Sequence, residues 1–315
     1  MPMMIVLVTG GAGFIGSHVV EALLRDDNHV ICLDNFDSYY DVAMKRMNVA
    51  PFLGRKNFHL VQGDVRDKDL LEKTIRENSV EYVIHEAAQP GVRVSVANPL
   101  KTTDVNITGT LSVLLASLDS SVKKIINASS SSVYGEVKYL PFDEEHPKQP
   151  ISPYGASKLA TEQYCDVFSE LYGLAVVSLR YFTVYGPRMR PDLAISIFTE
   201  RALNNEILEI YGDGKRTRGL TYIDDAVGAT LAAIKKGKGA YNIGEGSRIS
   251  VKELAKKIIE LTGSNSELRY SSPIKGDAEH TQADIKKAKK ELNWRPMVSL
   301  DEGLKAFVEW KRKLS

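Results

Sequence analysis

Tyr154 and Lys158 stand four residues apart in SPYGASKLATEQY, a stretch of helical period, so both side chains project from one face. A phenol near its ordinary pKa of about 10 is a poor base at neutral pH. A lysine cation beside it favours the phenolate, and the pair then reads as a general base. Upstream, NASSSSVYGE sets four serines in a row, Ser129 to Ser132, between an apolar run and a Val-Tyr-Gly turn. Hydroxyls can relay a proton to Tyr154, and no carboxylic acid stands among them.

A second group of residues points to a cofactor. TGGAGFIGS places Gly10, Gly13 and Gly16 at GxxGxxG spacing, directly after the apolar run MIVLV and directly before an amphipathic helix that begins near Ser17. Glycines let such a turn, which also carries Phe14 and Ile15, approach a pyrophosphate; the helix N-terminus offers free N–H groups and partial positive charge. The next strand ends at Asp34, where a carboxylate can accept hydrogen bonds from an adenosine ribose. Asn35 follows with no arginine beside it, which favours NAD over its phosphorylated form. GDVRD puts Asp64 and Val65 at the end of a third strand, and HEAA puts Ala87 and Ala88 after a fourth. Both strand ends border a cofactor by the switch-point rule. His85 reads as a packed core residue. A nicotinamide cation would join Lys158 in favouring the Tyr154 phenolate.

The elements that must position these groups alternate. Short apolar, β-branched runs (MIVLVTG, HVICLDN, FHLVQGD, EYVIHEAA, KKIINASS, LAVVSLRY) are separated for the most part by helix-period stretches. That rhythm predicts an α/β fold, a Rossmann-type doubly wound parallel sheet over residues 1–185. The rhythm breaks at GPRMRP, and residues 186–315 predict a smaller, mixed α/β substrate domain, with a segment near 220–240, including a helix over Asp224 to Lys236, returning to the sheet. No internal repeat, low-complexity run or flexible linker separates the two, so they should pack closely.

Composition narrows the partners. In 315 residues, 41 Lys and Arg nearly cancel 40 Asp and Glu, so no global field recruits nucleic acid or an anionic membrane. Cys32 and Cys165 lack CxxC or His-rich spacing, which argues against a metal site or a disulfide framework and suits a reducing, cytoplasmic setting. No apolar run reaches the roughly 18 residues of a membrane span, and the opening apolar stretch is too short for a signal-peptide core.

GxxGxxG, Asp34, Asp64, Asn106 in DVNITGT, the serine run, YxxxK and RYFTVYGPR together resemble an extended short-chain dehydrogenase/reductase, and more narrowly a nucleotide-sugar 4-epimerase. The resemblance runs over essentially the whole chain, including YIDDAV, GAYNIGEG and KKAKKELNWRP. It implies a tightly bound NAD regenerated in each cycle, with Asn106, Tyr154, Lys158 and Tyr181 among its contacts. It also implies a UDP-sugar substrate, Ser130 hydrogen-bonded to the sugar 4-hydroxyl, and a homodimer. The dimer would be formed by the Tyr154 helix and a helix near Thr102 to Leu118, whose Leu111, Leu114 and Leu115 give it an apolar face that could equally pack on the sheet.

Relatives that dehydrate or decarboxylate the sugar carry an acid at the positions of Ser131 and Ser132. A 4,6-dehydratase must protonate a leaving hydroxyl and remove a carbon-bound proton, which serines cannot do. An epimerase oxidises one alcohol and reduces it back, so hydroxyls suffice. Ser131 and Ser132 are then polar substrate contacts, while Ser129 satisfies backbone groups at the strand end. A non-catalytic NAD sensor would typically have lost the Tyr or the Lys.

The family pattern puts the diphosphate on Arg218, with Arg188 second. Two departures stand out. The common RDF reads Arg218-Gly219-Leu220, and SSPIKGD has Ile274 and Lys275 where an arginine is often found. Thr183 and the following RPD, with DNFDSYYD and PGVRVSVANP, resemble the UDP-glucuronate 4-epimerases. Thr183 and Arg190 are the candidates for the carboxylate at carbon 5; UDP-glucose or UDP-N-acetylglucosamine is the alternative.

Overall fold

The computed structural model describes residues 3–272 and 278–314. Ile5–Thr9 (β1), buried over most of its length, runs through the glycine turn into Phe14–Arg25 (α1). His29–Asp34 (β2), Val42–Val49 (α2), Phe58–Gln62 (β3), Lys68–Glu77 (α3) and Tyr82–His85 (β4) follow. Val92–Ala97 (α4), Pro99–Thr103 (α5) and Gly109–Ser117 (α6), the last two joined by a π-helical turn, lead to Lys124–Ser130 (β5). Then come Pro153–Tyr172 (α7), Val176–Tyr181 (β6), Thr183–Tyr185 (β7), Ala194–Leu203 (α8), Leu208–Tyr211 (β8), Thr217–Arg218 (β9) and Leu220–Tyr222 (β10). Ile223–Lys235 (α9), Gly239–Ile243 (β11), Ile249–Ser250 (β12), Val251–Thr262 (α10), Leu268–Ser271 (β13) and Leu300–Arg312 (α11) complete the chain.

The main sheet has seven strands in the order β11-β6-β5-β4-β1-β2-β3, every pairing parallel. Helices cover both faces, so its strands are apolar on both sides rather than alternating. One buried cluster joins Val6, Val8, Val19, Leu23 and Leu179 with much of the C-terminal part; the other joins Leu7, Ile31, Val83, Val113 and Phe168. The strand order reverses between β1 and β4, and a crevice opens there at the carboxyl ends of the strands. Late in the chain β11 pairs with β6 and α9 packs on α1, so the segment from Ile223 to Ile243 lies in the layers of the main sheet.

Two local devices set the catalytic helix in place. Ser152 caps α7 by accepting the Gly155 N–H, and Pro153 occupies its first position, where a missing N–H costs nothing. Tyr154 therefore sits in the first turn and Lys158 one turn on. The smaller C-terminal layer is built from the pairs β7–β10, β8–β13 and β9–β12 with α8, α10 and α11; Ser250/Glu253 and Ser299/Glu302 form capping boxes on the last two. Cys32 and Cys165 are free, buried thiols. Among the described residues no cluster of His, Cys, Asp or Glu could hold a metal, and no helix is long and apolar enough to cross a membrane.

Candidate active site

A cavity of about 810 Å³ runs along the carboxyl ends of β1, β4, β5 and β6 and under the C-terminal layer. Its floor at one end is the glycine turn, where Gly10, Gly13, Phe14, Ile15 and Gly16 all line it. A Cβ on Gly10 would stand 2.7 Å from the Ala87 nitrogen, in a backbone with φ +68, and one on Gly16 would overlap the Gly10 carbonyl. Only glycine permits this approach of helix to turn. Helix α1 has no side-chain cap and no acid in its first turn, so its leading N–H groups are left for an anion. These features fit the pyrophosphate of a dinucleotide.

Asp34 and Asn35 line the next section, with Asp37, Tyr40 and Lys45. The Asp34 carboxylate accepts the N–H groups of Ala12 (3.1 Å) and Phe36 (2.8 Å), and burial holds its pKa above the usual carboxylate range. Val65 lines the cavity as well, but Asp64 stands behind it. Its carboxylate is taken by Arg66 at 2.7 Å and Asn35 at 2.9 Å, and the Arg66 guanidinium holds its pKa far below normal. Ala87 and Ala88 are on the wall.

Asn106 corrects an expectation. It is fully buried and does not line the cavity; it accepts the Gln89 N–H at 2.7 Å and donates to Ser157 at 2.8 Å. It braces the loop after β4 against α7, a positioning task. His85 is a core residue, 2.7 Å from Thr9 and 3.0 Å from Thr110, and burial pushes it down to about 3, so it is neutral.

At the centre Ser130, Ser131, Ser132, Tyr154, Lys158, Tyr181 and Thr183 share the wall. Ser132 Oγ donates to Ser130 Oγ at 2.9 Å, and Ser130 is hydrogen-bonded to Tyr154. The hydroxyls thus form a chain ending on the phenol. Ser129 differs from expectation, since it satisfies no backbone group: its hydroxyl donates to the buried carboxylate of Glu162, which Arg180 grips at 2.9 and 2.8 Å.

Lys158 is buried on this wall. Its ammonium donates to the Ala128 carbonyl at 2.7 Å, and burial lowers its pKa to about 8. Tyr154 is raised by burial; the groups that pull it down are Arg190 and Ser130, with Glu86 acting against them. The Arg190 guanidinium and the serine hydroxyl thus offset part of what burial does to the phenol, whose pKa stays above its ordinary value.

Arg190 and Thr183 both face the cavity. Arg188 does not: with φ 63 it turns away and pairs with Glu21 of α1 at 2.6 Å, so it is withdrawn as a diphosphate ligand. Arg218 lines the far end, joined by Arg216, Arg93 and Tyr211, with the Arg93 guanidinium 5.0 Å from the Tyr211 ring centre. Ile274 and Lys275 lie outside the described residues. Arg93, Arg216, Tyr211, Glu86 and Asp192 were missed from sequence. The signal for Glu86 was available, an acid directly after the fourth apolar run; it is half-buried, accepts from Tyr181 at 3.1 Å, and burial raises its carboxyl to about 7.

The chain matches, over residues 7–307, the model of the family described as GDP-mannose 4,6 dehydratase. It is 42% identical to a putative UDP-glucose 4-epimerase of Methanocaldococcus jannaschii over 98% of both chains. It is 40% identical to a UDP-glucuronate 4-epimerase of Thermodesulfobacterium geofontis, over 98% of this chain and 96% of that one. The crystal structure of UDP-glucuronic acid 4-epimerase from Bacillus cereus, in complex with UDP-glucuronic acid and NAD, has a TM-score of 0.94 to it at 36% identity, covering 99% of this chain and 100% of that chain. A dinucleotide cradle, a Ser–Tyr–Lys centre and these likenesses define the class: the chain belongs to the nucleotide-sugar 4-epimerase family of the extended short-chain dehydrogenases/reductases.

Proposed function

We propose that UDP-glucuronate is the sugar whose carbon 4 this NAD-dependent UDP-sugar 4-epimerase inverts, giving UDP-galacturonate. NAD held in the glycine cradle would supply the redox chemistry, as acceptor of a hydride from carbon 4 and donor of it to the opposite face of the ketone. Tyr154 takes the 4-hydroxyl proton as the hydride leaves and returns it after the sugar has turned over, with Arg190 and Ser130 offsetting part of the rise that burial gives its pKa. Ser132 and Ser130 hold the hydroxyl chain to that phenol. Gly10 to Gly16 and Asp34 would hold the cofactor, and Arg216 and Arg218, which line the cavity, would take the diphosphate.

The observation that carries the uronate reading is Arg190: a cavity-lining guanidinium, its side chain 13% exposed, close enough to Tyr154 to lower its pKa. A ketone at carbon 4 of a uronate is a β-keto acid and loses carbon dioxide if the carboxylate bond stands perpendicular to the ketone plane. Arg190 and Thr183 would hold it away from that angle. Ser131 and Ser132 offer no strong acid to the enolate. One observation favours a neutral hexose as second reading: Arg190 is already paired with Asp192. Arg190→Ala tests the choice. Turnover of UDP-glucuronate should fall about ten- to a hundredfold further than turnover of UDP-glucose, the worth of a charge-assisted contact, since any effect through Tyr154 is common to both sugars, and some pentose product should appear. Equal losses on both sugars would remove Arg190 from carboxylate recognition.

A further inference from the structure

Asp192 sits inside the cavity on the same loop as Arg190. Its Oδ1 is 3.2 Å from Arg190 Nε, and its Oδ2 is 3.4 Å from the NH2 nitrogen. Both are longer than the 2.8 and 2.9 Å of the buried Arg180–Glu162 pair, so the grip is loose. A third group holds the acid in place. The hydroxyl of Tyr39, which is 153 residues away in the chain, donates to Asp192 Oδ2 at 2.7 Å, while its ring lies 5.5 Å from the Arg190 guanidinium carbon. Burial and that hydrogen bond push Tyr39 up to about 12, so it remains a donor at neutral pH.

The loop that carries Tyr39 is itself anchored. Asp37 accepts the Tyr39 N–H at 2.9 Å and the Lys101 ammonium at 2.8 Å, and the Lys45 ammonium donates to the Asp37 carbonyl at 2.8 Å. The β2 side of the crevice thus presents a fixed phenol to the loop that carries Arg190. A carboxylate bound to one edge of a guanidinium fork occupies the donors that a second carboxylate would use, and repels it.

Resting on the uronate reading above, we propose that Asp192 is a specificity-determining residue that competes with the substrate's carboxylate for Arg190, held there by Tyr39. A uronate must displace Asp192; a neutral hexose leaves the pair intact and meets no uncompensated cation. The Asp192–Arg190 pair therefore narrows the preference between the two kinds of sugar, and the site is tuned below its greatest discrimination.

The test uses NAD-loaded protein in a Tyr154→Phe background, to stop turnover, and calorimetric binding of UDP-glucuronate and UDP-glucose with and without Asp192→Asn. The ratio of the two affinities should move toward UDP-glucuronate by about two- to fivefold, and Tyr39→Phe should move it the same way by less. In protein with Tyr154 restored, the shift should lie in KM for the uronate, with kcat little changed. An unchanged ratio, or one that moves toward UDP-glucose, overturns the proposal and makes Asp192 a residue that merely orients Arg190. The substrate reading fails on a separate observation: protein with Asp192 intact that turns over UDP-glucose and leaves UDP-glucuronate untouched. A shift on Asp192→Asn in such a protein would still uphold the competition.

Discussion

Lys158 Nζ donates to the Ala128 carbonyl at 2.7 Å, which ties the lysine of α7 to the strand that ends in Ser130. That bond takes one of the three ammonium donors, and with a pKa lowered to about 8 the group stays mostly cationic at neutral pH, one turn along α7 from Tyr154, so the two residues serve one proton transfer. Tyr154→Phe should remove turnover by about 10² to 10⁴-fold while NAD stays bound. Lys158→Met combined with it should cost far less than the product of the two separate losses. Near-normal rates in Tyr154→Phe would remove the tyrosine as base, and multiplying losses would show two independent tasks.

Glu86 makes stability depend on pH. Its folded pKa of about 7 lies above its ordinary 4.5, chiefly through burial and despite the attraction of Lys158 and the Tyr181 hydrogen bond. Tyr181 in turn reaches Thr230 at 2.7 Å. The folded protein thus keeps this proton where the unfolded chain has lost it. Its stability falls as pH rises from the carboxylate range to about 7 and is level above, a loss of up to about 3 kcal/mol from this group. Glu86→Gln should match the parent at acid pH and exceed it at pH 8 in urea-unfolding midpoints. A difference independent of pH would show that the carboxyl is ionised throughout.

An apolar strip on the outside of α7 carries the expectation of a homodimer. Tyr164, Val167 and Leu171 recur at helical spacing and remain 40%, 45% and 70% exposed; Leu100, on the neighbouring α5, is 82% exposed. Leu114 is buried against the sheet and Leu111 partly so, while Leu115 stays exposed. A partner face would then come from α7 and α5 more than from α6. Light scattering should give twice the mass of one chain at working concentration, and Leu171→Asp should lower it. A monomeric mass for the parent protein would reject the dimer.

What could be read from the sequence was local: a glycine turn between strand and helix, YxxxK on one helical face, a serine run without an acid. Each is set by spacing within one element, and spacing survives folding. What could not be read was pairing across the chain. Arg188 leaves the cavity because a positive φ aims it at Glu21 of α1. Ser129 meets Glu162 of α7 rather than the backbone, and Asn106 reaches Gln89 and Ser157 rather than the cavity. Tyr39 and Asp192 lie on opposite sides of the crevice, and no periodicity relates them.

The most direct measurement incubates the purified protein with UDP-glucuronate, UDP-glucose and UDP-N-acetylglucosamine separately, with no cofactor added, and analyses each for its 4-epimer. Conversion of UDP-glucuronate to UDP-galacturonate, with no pentose and no carbon dioxide, is the predicted result. Epimerisation of UDP-glucose with UDP-glucuronate left unchanged would contradict it.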